Sequence, residues 1–228
     1  MINRLIAAID SGKPELTKEH IVECVIHLNS ELNCFWRKSQ GWAPIEAANL
    51  LSSARLDRQL SMSYNLRLFL NTVSEPIESE GRLILAYVAL RSLVESTLKL
   101  YLTVWHSDYI NCNDAPRARD GRVKNISDEL GLEDLKVYLN KKGLLQTTPF
   151  QHAHGYPPIS NFLAWLTRVQ QRGNGIHPFK HREMGTFEDY YEDTARYLEF
   201  LAFIIANIPY PDDEIHRPRA FYKPYRSF

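Results

Sequence analysis

Arg172 and His177 are the two side chains of this 228-residue chain whose types and spacing could do chemistry together. They lie in the segment Arg172-Gly173-Asn174-Gly175-Ile176-His177. A histidine titrating near neutrality accepts a proton. An arginine presents a planar fork of donors that stabilises negative charge as it builds on phosphate oxygens. The pair therefore suits cleavage of RNA by its own ribose 2′-hydroxyl, a reaction that needs a proton acceptor and a cation at the phosphate but no metal. Asn174 would add a neutral donor.

On an unbroken helix two residues at this spacing sit about 140° apart, so they cannot share a face. Gly173 and Gly175 both weaken a helix, and Pro178 pushes His177 away from the α region. The helix is expected to end between Arg172 and His177, turning both side chains into one cleft. With eight histidines in the chain, such a spacing also arises by chance. The competing reading is an arginine and a histidine that cap or pair at a helix end.

Three other groups of residues bear on the same chemistry. Arg91, Glu95 and Lys99 repeat every four residues on an otherwise apolar segment. They read either as an ion-pair ladder or as a polar stripe whose Glu95 supports Arg172 or His177. Lys180, His181 and Arg182 follow the motif directly and could position phosphates; the alternative is a solvated surface. His152 and His154 have no Cys or carboxylate at matching spacing, so no metal site is expected. The stretch Ile215 to Phe228 carries four Lys/Arg, four aromatics and no acid. Such a mixture fits single-stranded RNA and fits equally an arm docked on the protein's own body or on a partner.

The elements that must position these residues read as helices, and alternating strands are absent. Helices are expected over residues 2 to 10, Thr17 to Arg37, Ile45 to Asn71, Ser79 to Trp105, Leu132 to Lys142, from Ser160 toward Arg172, and from Thr186 to Ile208. Gly143 is placed as a C-cap, and Thr186 with Asp189 resembles a capping box. Residues 106 to 131 read as loop with a short helix, and Thr147 to Pro158, with three prolines, as loop.

Composition sets outer bounds. Hydrophobic residues make up 44% and charged residues 24%, enough for a full core and ordinary for a globular chain. The 27 basic and 27 acidic residues cancel, so any attraction for RNA must be local. Three cysteines without a Cys-x-x-Cys pair suggest neither a disulfide framework nor a cysteine zinc site, and a reducing cytoplasm is the natural setting. The apolar run Leu83 to Trp105 is interrupted by Arg91, Glu95 and Lys99, which argues against a membrane span. Phosphate loops, dinucleotide-binding glycine patterns and Gly-x-Ser-x-Gly elbows are not found, and no cofactor is expected.

Arg172 to His177 resembles the Arg-x4-6-His motif of HEPN domains. The following stretch His177 to Phe187 is similar to the approach to the last helix of some HEPN proteins, and Tyr87 to Glu95 to the inner helix beside it. The likeness spans roughly residues 42 to 208. It leaves residues 1–41 as an N-terminal helical extension and 209–228 as a basic, aromatic tail. One departure is Gly173, where a polar residue, often Asn, usually follows the arginine. The resemblance implies an all-α, HEPN-like bundle that forms a homodimer, with two motifs facing each other as a metal-independent endoribonuclease site. Arg172 and His177 would be the catalytic pair, with Glu95 in support. It also implies a role in phage defence or as a toxin held by an antitoxin protein. The alternative is a non-catalytic HEPN module that binds RNA, a nucleotide or a protein partner, and a third reading is a purely structural scaffold.

Overall fold

A computed structural model describes residues 17–71, 73–145, 162–179 and 181–211 of the chain. The expected helix over 2 to 10, the loop 147 to 158, His152, His154, Ser160, Lys180 and the tail beyond residue 211 lie outside them. The described residues form eight α-helices and two 3-10 turns, with no strand. In chain order the helices are α1 (Lys18–Trp36), α2 (Ile45–Ser53), α3 (Leu56–Asn65), α4 (Pro76–Val104), α5 (His106–Ile110), α6 (Leu132–Lys141), α7 (Phe162–Gly173) and α8 (Phe187–Ala206). The fold is all-α.

The axis of the fold is α4, 29 residues long and therefore roughly 43 Å from end to end. Leu83, Tyr87, Leu90, Leu93, Val94 and Leu98 are all buried along it, so it is covered on several sides. Helices α7, α8, α3 and α2 pack around it, and α1 closes the remaining gap between α3 and α8. Helix α1 therefore belongs to the common core, burying Val25, Leu28, Leu32 and Trp36.

Local chemistry explains where the three longest helices begin. The Thr17 hydroxyl accepts from the His20 amide to start α1. Glu75 caps α4 through the Glu78 amide, with Pro76 in the first helical position, so α4 begins three residues earlier than apolar periodicity indicates. Thr186 and Asp189 form a reciprocal capping box at the start of α8. Gly143, with φ +75°, follows α6 in the left-handed conformation that only glycine adopts without strain.

The single helix expected over Ile45 to Asn71 is divided. Ala54 is extended (ψ 141°) and Arg55 also leaves the helical region, which separates α2 from α3. The Ser52 and Ser53 hydroxyls bond back to the Asn49 and Leu50 carbonyls, and Arg55 pairs with Asp57 across the break. A 3-10 turn, Leu66–Phe69, then ends α3. The apolar spacing continues through the break, so periodicity alone does not reveal it.

A buried polar chain ties four helices together. The Gln59 amide on α3 donates to Asn29 Oδ1 on α1 (2.7 Å) and to Thr97 Oγ1 on α4 (3.3 Å), and Thr97 Oγ1 lies 3.0 Å from the Tyr197 hydroxyl on α8. Among the described residues no helix is long and apolar enough to cross a membrane.

Half-buried Glu199 sits on α8 between buried Leu198 and Phe200. Burial pushes its carboxyl from the ordinary 4.5 up to about 7, against a smaller opposing effect of Arg196. The folded state then holds a proton that the unfolded chain has released, so stability falls as pH rises from about 4.5 through 7. The Glu199→Gln variant is expected to flatten this fall and to be the more stable protein above pH 7. Urea denaturation at pH 5 and pH 8 checks it, and an equal pH dependence in the two proteins would refute it.

Candidate functional site

Helix α7 runs into α4 at its C-terminal end. A Cβ added to Gly173 would lie 2.6 Å from both Cβ and Cδ of Arg91 and 3.0 Å from the Tyr87 carbonyl oxygen. Gly173 is thus required by close helix packing. The helix stops there, a 3-10 turn covers Asn174–Ile176, and this turn rests against α4. His177 is extended (φ −90°, ψ 105°), and its amide donates to the Asn174 carbonyl at 3.2 Å. The chain thus leaves the helix between Arg172 and His177.

The two side chains then part company. The Arg172 side chain is only 11% exposed. Its Nη1 donates to the Tyr87 hydroxyl at 2.6 Å and to Asp193 Oδ2 at 3.2 Å, while Nη2 stands 3.7 Å from Asp189 Oδ2. Its guanidinium carbon lies 5.2 Å from the Tyr87 ring centroid. Gly185, at φ +73°, passes so close that a Cβ there would meet Arg172 Nη2 at 2.5 Å. His177 is exposed, and no hydrogen bond or ion pair joins it to Arg172 among the described residues.

Asp193 is the hub of this network. Its side chain is 0% exposed and receives Arg168 as well: Nε at 3.1 Å and Nη2 at 2.5 Å, both on Oδ1. The Tyr87 hydroxyl donates to Oδ2 at 3.1 Å. Burial, reinforced by the Asp193 charge, raises the pKa of the Tyr87 hydroxyl far above its usual value, so it stays a donor. Amide donation from Thr186 holds the Asp189 carboxyl below the ordinary range, and the nearby Arg172 and Arg168 charges act in the same direction. Two guanidiniums thus face two carboxylates, and this cluster carries no excess charge.

Glu95 does not take the supporting role expected of it. Its carboxylate pairs with Lys99 at 3.1 Å and with Arg91 at 3.8 Å on its own helix, the ladder reading of that stripe. The acids that hold Arg172 are Asp193 and Asp189 on α8. Asn174 is half-buried in the 3-10 turn, with its carbonyl occupied by the His177 amide. Of the basic cluster, His181 is exposed and Arg182 half-buried, with a buried Nε that has no hydrogen-bond partner. Ile176 and Phe179, one and two residues from His177 in the chain, are 51% and 99% exposed.

Asp193 was discoverable from sequence. It falls between Tyr190 and Tyr197 on the apolar face of the last helix, and an acid on a buried face must be paired. A cavity of about 660 Å³ lies elsewhere, lined among others by Trp105, Tyr109, Cys112, Tyr138 and Lys142 and by no residue of the motif. Among the described residues no group of three or more His, Cys, Asp or Glu is placed to hold a metal ion.

Two stability measurements probe this arrangement. Gly173→Ala drives a methyl into the Arg91 stem and the Tyr87 backbone, with an expected loss of about 1–3 kcal/mol in urea denaturation; an unchanged midpoint would rule out the tight crossing. Asp193→Ala leaves the largely buried Arg172 without its principal carboxylate, with an expected loss of about 3–5 kcal/mol. A loss no larger than that of an ordinary surface substitution, about 0.5 kcal/mol, would show that Asp193 is not the hub. Comparison of the chain with protein-family profiles, curated proteins and solved structures returns no match.

Proposed function

We propose that the chain is a HEPN-type, metal-independent endoribonuclease that works as a homodimer. The observation that carries this reading is the exposed imidazole of His177, set on a sharp turn one helix end away from a pinned arginine. An imidazole in that position can take the proton of a ribose 2′-hydroxyl. The 2′-oxygen then bonds to phosphorus, the bond from phosphorus to the 5′-oxygen breaks, and the leaving oxygen collects a proton. The products are a 2′,3′-cyclic phosphate and a 5′-hydroxyl.

The exposed apolar side chains Ile176 and Phe179, one and two residues from His177 in the chain, support a second copy or a substrate covering this segment, since exposed large hydrophobics mark interaction sites where they form a patch. A cytoplasmic setting suits the free cysteines Cys24, Cys34 and Cys112. Phage defence, or action as a toxin restrained by an antitoxin protein, is the biological role we associate with such an activity; it rests on the family resemblance alone.

One observation favours a second reading, a non-catalytic HEPN module that binds RNA, a nucleotide or a protein. Arg172 spends Nη1 on Tyr87 and Asp193, as a structural arginine does. The two readings separate in one assay: labelled RNA incubated with the protein in EDTA, beside His177→Ala and Arg172→Lys, with melting curves for each. The nuclease reading expects cleavage to 2′,3′-cyclic ends without metal, lowered at least about a hundredfold in His177→Ala at unchanged melting temperature. Full activity in His177→Ala, or none in the wild type, leaves only the binding module.

A further inference from the structure

We infer that Arg91, on the central helix, is the guanidinium that meets the phosphate backbone of bound RNA. This assignment deepens the reading of the His177 site and rests on it. Among the arginines of α4 and α7 beside the motif, it follows from which are already neutralised. Arg172 and Arg168 are matched by Asp193 and Asp189. Arg172 is also covered by Gly185 and pinned by Tyr87, so a phosphate could reach it only by displacing protein partners.

Arg91 stands in the opposite situation. Its Cβ and Cδ lie where a Gly173 side chain would be, which places its stem against the backbone of the motif itself, on the helix against which the 3-10 turn leading to His177 rests. Its side chain is 33% exposed, and its one ion pair among the described residues, with Glu95, is long at 3.8 Å. Glu95 is held more closely by Lys99, at 3.1 Å. Two cations share one carboxylate, so this stripe carries a positive charge left over, in contrast to the balanced cluster around Asp193. Among the described residues the buried Arg91 Nε has no hydrogen-bond partner. An unpaired donor is unfavourable, and the exposed part of this guanidinium is open to an anion that accepts from it. A phosphate oxygen is such an acceptor, and a guanidinium fork matches it in shape.

Arg91 thus supplies the anion contact and His177 the proton transfer, while Arg172 is a positioning residue that holds the end of α7 against α4 and α8. A non-bridging phosphate oxygen is the group recognised, so the contact is independent of base sequence.

The test is fluorescence anisotropy with a labelled single-stranded RNA whose 2′-hydroxyls are methylated, which removes the attacking group and leaves binding alone. Arg91→Gln is expected to weaken binding about tenfold and to lower the slope of log affinity against log salt by about 0.7, the loss of one phosphate contact on a single strand. Arg91→Lys is expected to keep that slope. Glu95→Gln, which removes the competing carboxylate without touching Arg91, is expected to tighten binding; it gives an answer of opposite sign should Arg91→Gln fold poorly. Unchanged affinity and slope in Arg91→Gln, or no binding by the wild type, overturns the assignment. Binding that depends on Arg91 in a protein that cleaves nothing upholds it and removes the catalytic reading. Cleavage by a protein whose affinity ignores Arg91 does the reverse.

Discussion

A single carboxylate with no exposed surface, Asp193, organises the part of the molecule around the motif. An ionised group so deeply buried is tolerated only when its lone pairs are filled by strong donors, and Asp193 is met by Arg168, Arg172 and the Tyr87 hydroxyl. Those donors come from α7 and α4, while the carboxylate comes from α8. The three helices that meet beneath the 3-10 turn are therefore joined by charge as well as by apolar packing. The orientation of α7, and with it the point at which the chain turns toward His177, depends on this contact.

Glycines make that arrangement sterically possible. Gly173 lets α7 approach α4 closely enough for Arg172 to reach Tyr87, and Gly185 lets the segment before α8 pass over the guanidinium. Glycine at position 173 has a reason in this fold: the space that a side chain would occupy is filled by Arg91. The same closeness that pins one arginine in the interior leaves another at the edge of the motif.

Much of the architecture is legible in the sequence because its causes are local. The Thr186 and Asp189 box, the Thr17 cap and the glycine after α6 all act within a few residues, and the elements they bound appear where residue spacing places them. The break at Ala54 and Arg55 is not legible, because the apolar spacing runs through it. The partners of Arg172 are hidden for a different reason. Tyr87 and Asp193 lie 85 and 21 residues away, and nothing in the motif names them. Glu95 is the acid that helical spacing brings forward, yet spacing reports only neighbours on the same helix, and those are its partners.

The amide and hydroxyl chain through Asn29, Gln59, Thr97 and Tyr197 has a consequence for the first helix. Leucines and valines on a buried face accept a neighbour slid by one turn almost as well as one in place, because dispersion has little direction. A side-chain amide does not, since Asn29 Oδ1 accepts from the Gln59 amide only at hydrogen-bond range. Asn29 therefore acts as an index mark that allows α1 one axial setting against α3. The first described helix is thus held in register by the interior of the bundle.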